Sequence, residues 1–464
     1  MKINPFFRNL LFPLVLLTIF LLSLPTLAAS EEKQATVDDL FQFLLDNWAN
    51  KIHLGVFEAS AATGHFLAGI PLEPNYGDAF ASFTDDLISA EPTYGHLAEY
   101  WQLRAHLDIQ PKPDWKALQK ERNGTVIFHN SLSDSNLNID NLKRALEINP
   151  SDGSIHWYIG AIQIKEKYPE SPPMTDPSQA DKLKDYYQLR LDVAAKAEQA
   201  EPSNAFYPME KAVFEFKLGN KYGALENLKR LGECSYYCSP RIFPSSYALE
   251  HIFDYEAGKK PFDKMTPGAK WYLYFNFYGT DSLPNYIRIK DMYKGLIADS
   301  MSNGNWRETF NILNRAACIM GRDGDSGIIN SLVAIVCIRL CLKEGMKQAI
   351  KDNDRSLERA IIAATCKTND VKLTASVSTM DENAPFYFLY SMLADQFNLT
   401  FDSAKPFMSL TKLFPPKLCS ATEYRLHYKR VKPAFENLIT FDYLNPEEWY
   451  NTWFKETFPE EKQK

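Results

Sequence analysis

The chain is poor in the residues and patterns that announce most chemistries. Its seven cysteines are spread over 464 residues, which is not the spacing of a small disulfide-stapled fold. No set of closely spaced Cys or Cys/His pairs stands at zinc-site separations, and no Cys-x-x-Cys-His run exists for haem attachment. The eight histidines include no His-Glu-x-x-His pair. A Gly-x-Ser-x-Gly elbow, a phosphate-cradling glycine loop and a dinucleotide fingerprint are likewise missing. The sequence therefore nominates no catalytic, metal or cofactor-binding residues, and no cofactor is expected. A balance of 51 basic against 58 acidic residues, net −7, disfavours a nucleic-acid partner. Alternating strand patterns are scarce too: "GTVIFHN" (124–130) is the best strand candidate, and one short strand cannot make a sheet.

What is present begins with a leader. Lys2 and Arg8 precede an apolar run from Leu10 to Leu24, followed by "LPTLAAS" with small residues at a cleavage position, the pattern of a secretory signal peptide over 1–28. The run of about 15 apolar residues is short of the roughly 20 needed to span a bilayer, and Pro13 interrupts it. No stable membrane span is expected after cleavage, and the mature chain is expected to be secreted or periplasmic. In such a compartment Cys234 and Cys238, flanking "SYY" beside Pro240, could be bridged or free. Cys337 and Cys341 lie in "SLVAIVCIRLCLKEG", which predicts a buried helix where cysteine acts as a small apolar residue.

Helical periodicity dominates the remainder. In "TVDDLFQFLLDNWANKI", Val37, Leu40, Phe41, Leu44 and Trp48 recur at spacings of three and four, making one apolar stripe. Similar stripes cover 76–89, 94–107, 136–148, 153–167, 179–200, 204–218, 221–232, 284–302, 305–320, 326–344, 354–366, 384–397 and 420–438, so the fold class is all-α. Polar and proline-rich residues at 168–182 predict a loop between two helices. A seam is predicted near "AGKKPFDKMTPGAK" (257–270), between an N-terminal helical region, 34–256, and a C-terminal one, 270–458. The apparent calcium motif "RDGDSG" (322–327) lacks the glycine at position six and the glutamate at twelve, and is read as an interhelical turn. In "KDNDRS" (351–356), Asp354 or Ser356 is the expected helix N-cap.

One pattern repeats. "ISAEPTYGHLAEYW", "ALEINPSDGSIHWY" and "AEQAEPSNAFYPME" each carry a helix end, a proline (Pro92, Pro150, Pro202) and a polar pair before the next helix. Ala145 and Ala197 each stand five residues before their proline. Gly160 and Ala212 follow in the next helix, then Gly219-Asn220 as a turn and Ala224 beyond it. "GNWRETFNILNRAA" repeats the turn and its aromatic with Gly304, Asn305 and Trp306, and the later small residue with Ala316. These residues resemble the tetratricopeptide repeat, chiefly over 137–232 and 284–321. The match is irregular: the prolines are 58 and 52 residues apart, not about 34, Thr309 stands where alanine is usual, and Glu215 where an aromatic is common.

That resemblance implies a helical-hairpin α-solenoid with irregular repeats, a non-enzymatic scaffold whose concave face takes up a peptide or protein partner. On the family's pattern the ligand-facing residues come from first helices, which nominates Tyr158, Gln163, Lys211 and Lys217 as partner-binding. The 8 Trp, 24 Tyr and 30 Phe, clustered in "KWYLYFNFYG", "APFYFLYSML", "HWY" and "EEWYNTWF", must mostly fill gaps between helices, with the surplus free to line a groove. The alternative is a secreted carbohydrate-active or lyase-type enzyme on an α/α barrel, which needs paired carboxylates facing each other across a groove. A glycan-binding helical protein of an outer-membrane uptake system is a third reading, though the lipidated cysteine such proteins carry is missing after the leader.

Overall fold

The computed structural model describes residues 34–51, 85–107, 137–169, 179–240, 242, 283–322, 327–380 and 435–457. The candidate strand at 124–130, the seam at 257–270, the aromatic runs at 270–279 and 384–393 and the leader lie outside these residues, as do 323–326 of the apparent calcium motif. Among the described residues the chain is helical, without a strand. The helices are α1 (Val37–Lys51), α2 (Glu91–Tyr94), α3 (Ala98–Leu107), α4 (Ile139–Ile148), α5 (Gly153–Lys167), α6 (Ala180–Ala200), α7 (Phe206–Lys217), α8 (Lys221–Leu231), α9 (Leu283–Asn303), α10 (Trp306–Arg322), α11 (Gly327–Lys351), α12 (Arg355–Met380) and α13 (Pro446–Thr457). None of them is long and apolar enough to cross a membrane.

Local chemistry accounts for several of these starts and stops. Thr36 and Asp39 cap α1 reciprocally: the Asp39 N–H donates to the Thr36 hydroxyl at 3.2 Å and the Thr36 N–H to the Asp39 carboxylate at 2.8 Å. Asn138 and Asp152 accept the first free N–H groups of α4 and α5. Asp354 caps α12, accepting from Leu357 N at 3.0 Å, as the sequence predicts. The turns α7–α8 and α9–α10 share one device: Gly219 (φ +85°) and Gly304 (φ +76°) take left-handed backbone that other residues adopt only with strain, and an asparagine follows each. Pro150 and Pro202 lie between helices as predicted, whereas Pro92 sits in the first turn of the short α2, where its missing N–H costs nothing.

Neighbours in sequence pack as neighbours in space: α3 on α4, α5 on α6, α6 on α7, α7 on α8, α10 on α11 and α11 on α12. The α5–α6 pair brackets the proline-rich insertion, so that insertion joins two helices of one hairpin. Small residues set the closest approaches. Ala145, Ala197, Ala212, Ala224 and Ala316 are fully buried, and a Cβ on Gly160 would lie 2.4 Å from a Val193 methyl carbon of α6.

The two halves share one apolar core, which runs from Leu40 of α1 to Trp449 of α13. α9 lies against α7 where Gly295 meets the Phe216 ring. Arg315 of α10 donates to the Gly232 carbonyl at 2.9 Å and Arg322 to the Ser235 carbonyl at 2.6 Å. Residues 435–443 close the other side of α10. There Arg307 donates to the Tyr443 carbonyl (3.0 Å) and to Asp354 (2.7 Å), and Asn314 to the Leu438 carbonyl (2.9 Å). Cys318, Cys337 and Cys341 are fully buried and free, the packing role expected of the last two.

Gly160→Ala should lower the unfolding free energy by about 1–3 kcal/mol in urea titration, because overpacking against Val193 outweighs alanine's helix propensity. Val193→Ala should recover part of that loss when the two are combined. Gly219→Ala, where no atom lies within 4 Å, should cost only the left-handed backbone strain, about 1 kcal/mol.

Candidate functional site

Among the described residues, a dense polar cluster lies where the Pro150 and Pro202 corners meet. Asp152, the N-cap of α5, accepts from Ser154 N (2.8 Å) and Ile155 N (3.3 Å) with one carboxylate oxygen, and from Gln102 Nε2 of α3 (2.9 Å) with the other. Glu201 follows the last residue of α6. Its Oε2 accepts from the Tyr207 hydroxyl (2.9 Å) and Asn204 Nδ2 (3.3 Å), and its Oε1 from the Tyr236 hydroxyl. Gly153 separates the two acids, since a Cβ there would stand 2.7 Å from Glu201 Oε2 and 2.5 Å from the Tyr207 hydroxyl.

The segment 234–240 is held beside this cluster by backbone pairing. Ala205 N donates to the Tyr236 carbonyl (2.7 Å) and Ser235 N to the Ser203 carbonyl (3.1 Å). The Asn204 amide clasps Cys238, donating to its carbonyl (2.8 Å) and accepting from its N–H (3.0 Å). Cys234 and Cys238 are both buried and are not joined by a disulfide in the structure, where the Asn204 amide closes the bend.

Burial, then the neighbouring Glu201 charge, pushes the Asp152 carboxyl up to about 6, against the hydrogen bonds from Gln102 and the two backbone amides. Burial and the same glutamate raise the Tyr207 and Tyr236 phenols, so both stay protonated donors. Chemically the cluster is a pair of acids engaged by internal donors: it fastens α3, α5, α6, α7 and segment 234–240 together. Among the described residues no group of three or more His, Cys, Asp or Glu is arranged to hold a metal ion.

The four nominated partner-binding residues occupy different environments. Tyr158, nominated as partner-binding, is in the core, 4% exposed, and its hydroxyl donates to the Pro240 carbonyl at 2.7 Å. Lys211 is half-buried and pairs with Glu198 of α6 at 2.8 Å, and Arg230 of α8 approaches the other oxygen of Glu198 at 3.5 Å. Gln163 is exposed on α5, and Lys217 is half-buried in the last turn of α7. Asp152, Glu201, Tyr207 and Tyr236 were not nominated from the sequence. The signal available was that two carboxylates stand in repeated corners, Asp152 two residues after Pro150 and Glu201 immediately before Pro202.

Compared with known protein families, with curated proteins and with solved structures, the chain matches none.

Tyr236→Phe deprives Glu201 of a charge-assisted hydrogen bond and should destabilise the fold by about 2 kcal/mol in chemical denaturation.

Proposed function

We propose that this protein is an exported, non-enzymatic helical-repeat scaffold that binds a peptide or protein partner along the face shared by α5 and α7. The observation that carries this reading is the recurrence of one hairpin grammar. Left-handed glycine and asparagine open both the α7–α8 and the α9–α10 turns, and a fully buried alanine stands five residues before both Pro150 and Pro202. A unit that repeats its turn and its contact residues stacks on its neighbour and leaves a long surface, over which binding is spread across many side chains.

The engagement of the acid pair supports the same reading. An α/α-barrel hydrolase or lyase would turn two carboxylates toward a groove, whereas Asp152 and Glu201 are turned into a helix junction and bonded to its donors. With Tyr158 in the core and Lys211 paired to Glu198, the surface positions of the proposed face are Gln163 and Lys217.

A photo-crosslinking amino acid placed at Gln163 or Lys217, in cells that make the protein natively, should trap one reproducible protein partner. The same group at the exposed Lys229 of α8 should not. Equal capture from all three positions, or from none, would reject the α5–α7 face. The mature protein recovered from the periplasm or medium should begin just after Ala28 when its N-terminus is sequenced; recovery of Met1 there would reject the cleaved leader.

A further inference from the structure

Over residues 333–368 of the hairpin formed by α11 and α12, the exposed charges on both helices carry one sign. They are Lys343, Lys347 and Lys351 on α11, and Arg355 and Arg359 on α12. The acids of the same helical stretches, Glu344 and Glu358, are half-buried, and the exposed acid is Asp352 in the turn. In a chain of net charge −7 this is a local reversal. The same helices hold large apolar side chains in water: Val336 is 42% exposed, Ile350 62% and Ile362 57%. Val336, Lys343, Lys347 and Ile350 follow one another at seven, four and three residues, so they share one side of α11. On α12, Arg355, Arg359 and Ile362 do the same at four and three. The corner that joins the two stripes is fixed. Asn353 takes left-handed backbone (φ 54°), Asp354 N donates to the Ala349 carbonyl at 2.8 Å and Asn353 N to the Ile350 carbonyl at 3.2 Å. Arg307 of α10 ties Asp354 down at 2.7 Å.

We propose that the solvent side of the α11–α12 hairpin docks on an anionic lipid surface, its cations at the headgroup phosphates and Val336, Ile350 and Ile362 entering the boundary of the acyl chains. Charge complementarity sets the sign of the occupant. Lys347 pairs with Glu344 and Arg355 with Glu358, each at 2.7 Å, but exposed pairs of this kind are weak and leave both cations able to turn to a phosphate. Shape selects lipid over an acidic peptide. The outer side of a helix is a ridge, and from Val336 to Ile350 its apolar side chains are spread over about 21 Å at a rise of 1.5 Å per residue. A peptide is seated in a groove, whereas a bilayer surface yields to a ridge of cations and apolar side chains. Ile335, Ile338 and Leu342, on the other side of α11, are in the protein core. The hairpin therefore lies on the membrane as part of the folded protein, and neither helix crosses it. The surface shares no residue with the α5–α7 face.

Vesicle co-sedimentation tests this. The mature chain, without the apolar leader 1–28, should sediment with vesicles of phosphatidylglycerol and phosphatidylcholine in equal parts and stay in solution with phosphatidylcholine alone. Binding should fall as salt rises from about 0.05 to 0.5 M, since the charges involved are exposed. Lys343→Gln combined with Arg359→Gln should weaken it about thirtyfold, at about fivefold per cation. Ile350→Ser combined with Ile362→Ser should weaken it about tenfold through lost apolar burial. All four positions are exposed, so the far-UV circular dichroism of both variants should match the wild type. Lys196→Gln combined with Lys229→Gln, exposed cations of α6 and α8, should leave binding unchanged. No sedimentation with the anionic vesicles, equal binding to neutral ones, or the same loss from the α6 and α8 pair would each overturn the proposal. Capture by polyglutamate without sedimentation on vesicles would overturn it too, and would assign the face to an acidic protein.

Discussion

A helix end that is buried leaves backbone N–H and C=O groups with no partner inside the helix, and each must find one elsewhere or cost the fold its desolvation. In the N-terminal half that demand is concentrated at the adjoining Pro150 and Pro202 corners. Asp152 answers the open amides of α5, and Glu201 at the end of α6 gathers two phenols and an amide. Five segments thereby become mutually dependent. The spacing of α5 from α6 then rests on Gly160 against Val193, and the course of segment 234–240 on the Asn204 clasp. Proline sets the corners and the carboxylates make them compatible with burial.

The C-terminal half meets the same demand with side chains that reach backbone across long stretches of sequence. Arg307, Asn311 and Asn314, along the first turns of α10, bind residues 438–443, while Arg315 and Arg322 bind the end of α8 and the segment after it. One helix thus serves as the pillar between the two regions. Its Phe310, Leu313, Ala316, Ala317 and Cys318 supply the apolar face and its arginines the polar seams. Asp354 sits in one such seam. Burial pushes its carboxyl upward, but the Arg307 guanidinium, the Leu357 N–H and the Ser356 hydroxyl outweigh that and hold it at about 2.

Much of the helical architecture could be read from spacing. The periodic stripes locate most of the described helices to within a few residues, because a 3.6-residue period has one physical origin and tolerates little ambiguity over fifteen positions. α11 and α12 run well beyond the stripes at 326–344 and 354–366, and the last turns of α11 still meet the core through Met346 and Ala349. The small residues of the repeat-like segments were legible for a like reason: only close helix packing demands alanine and glycine at those places. The polar junction was not, since nothing local indicates that Asp152 and Glu201, 49 positions apart in the numbering, face each other across Gly153. Nor could spacing tell that Tyr158 points inward to Pro240, 82 residues on. Periodicity gives a face, and only tertiary packing decides whether that face meets solvent or another helix.

The return of residues 435–443 onto α10 has a kinetic side. Arg307 and Tyr443 are 136 residues apart, and closing so long a loop carries an entropic cost before any contact compensates it. Before that loop closes, the flank of α10 that Phe435, Leu438 and Tyr443 cover in the folded chain is bare. Domains assembled this way expose apolar surface in their intermediates, which makes them clients of chaperones until the late segment arrives. By that argument the apolar flank of α10 is open to other chains until residues 435–443 arrive.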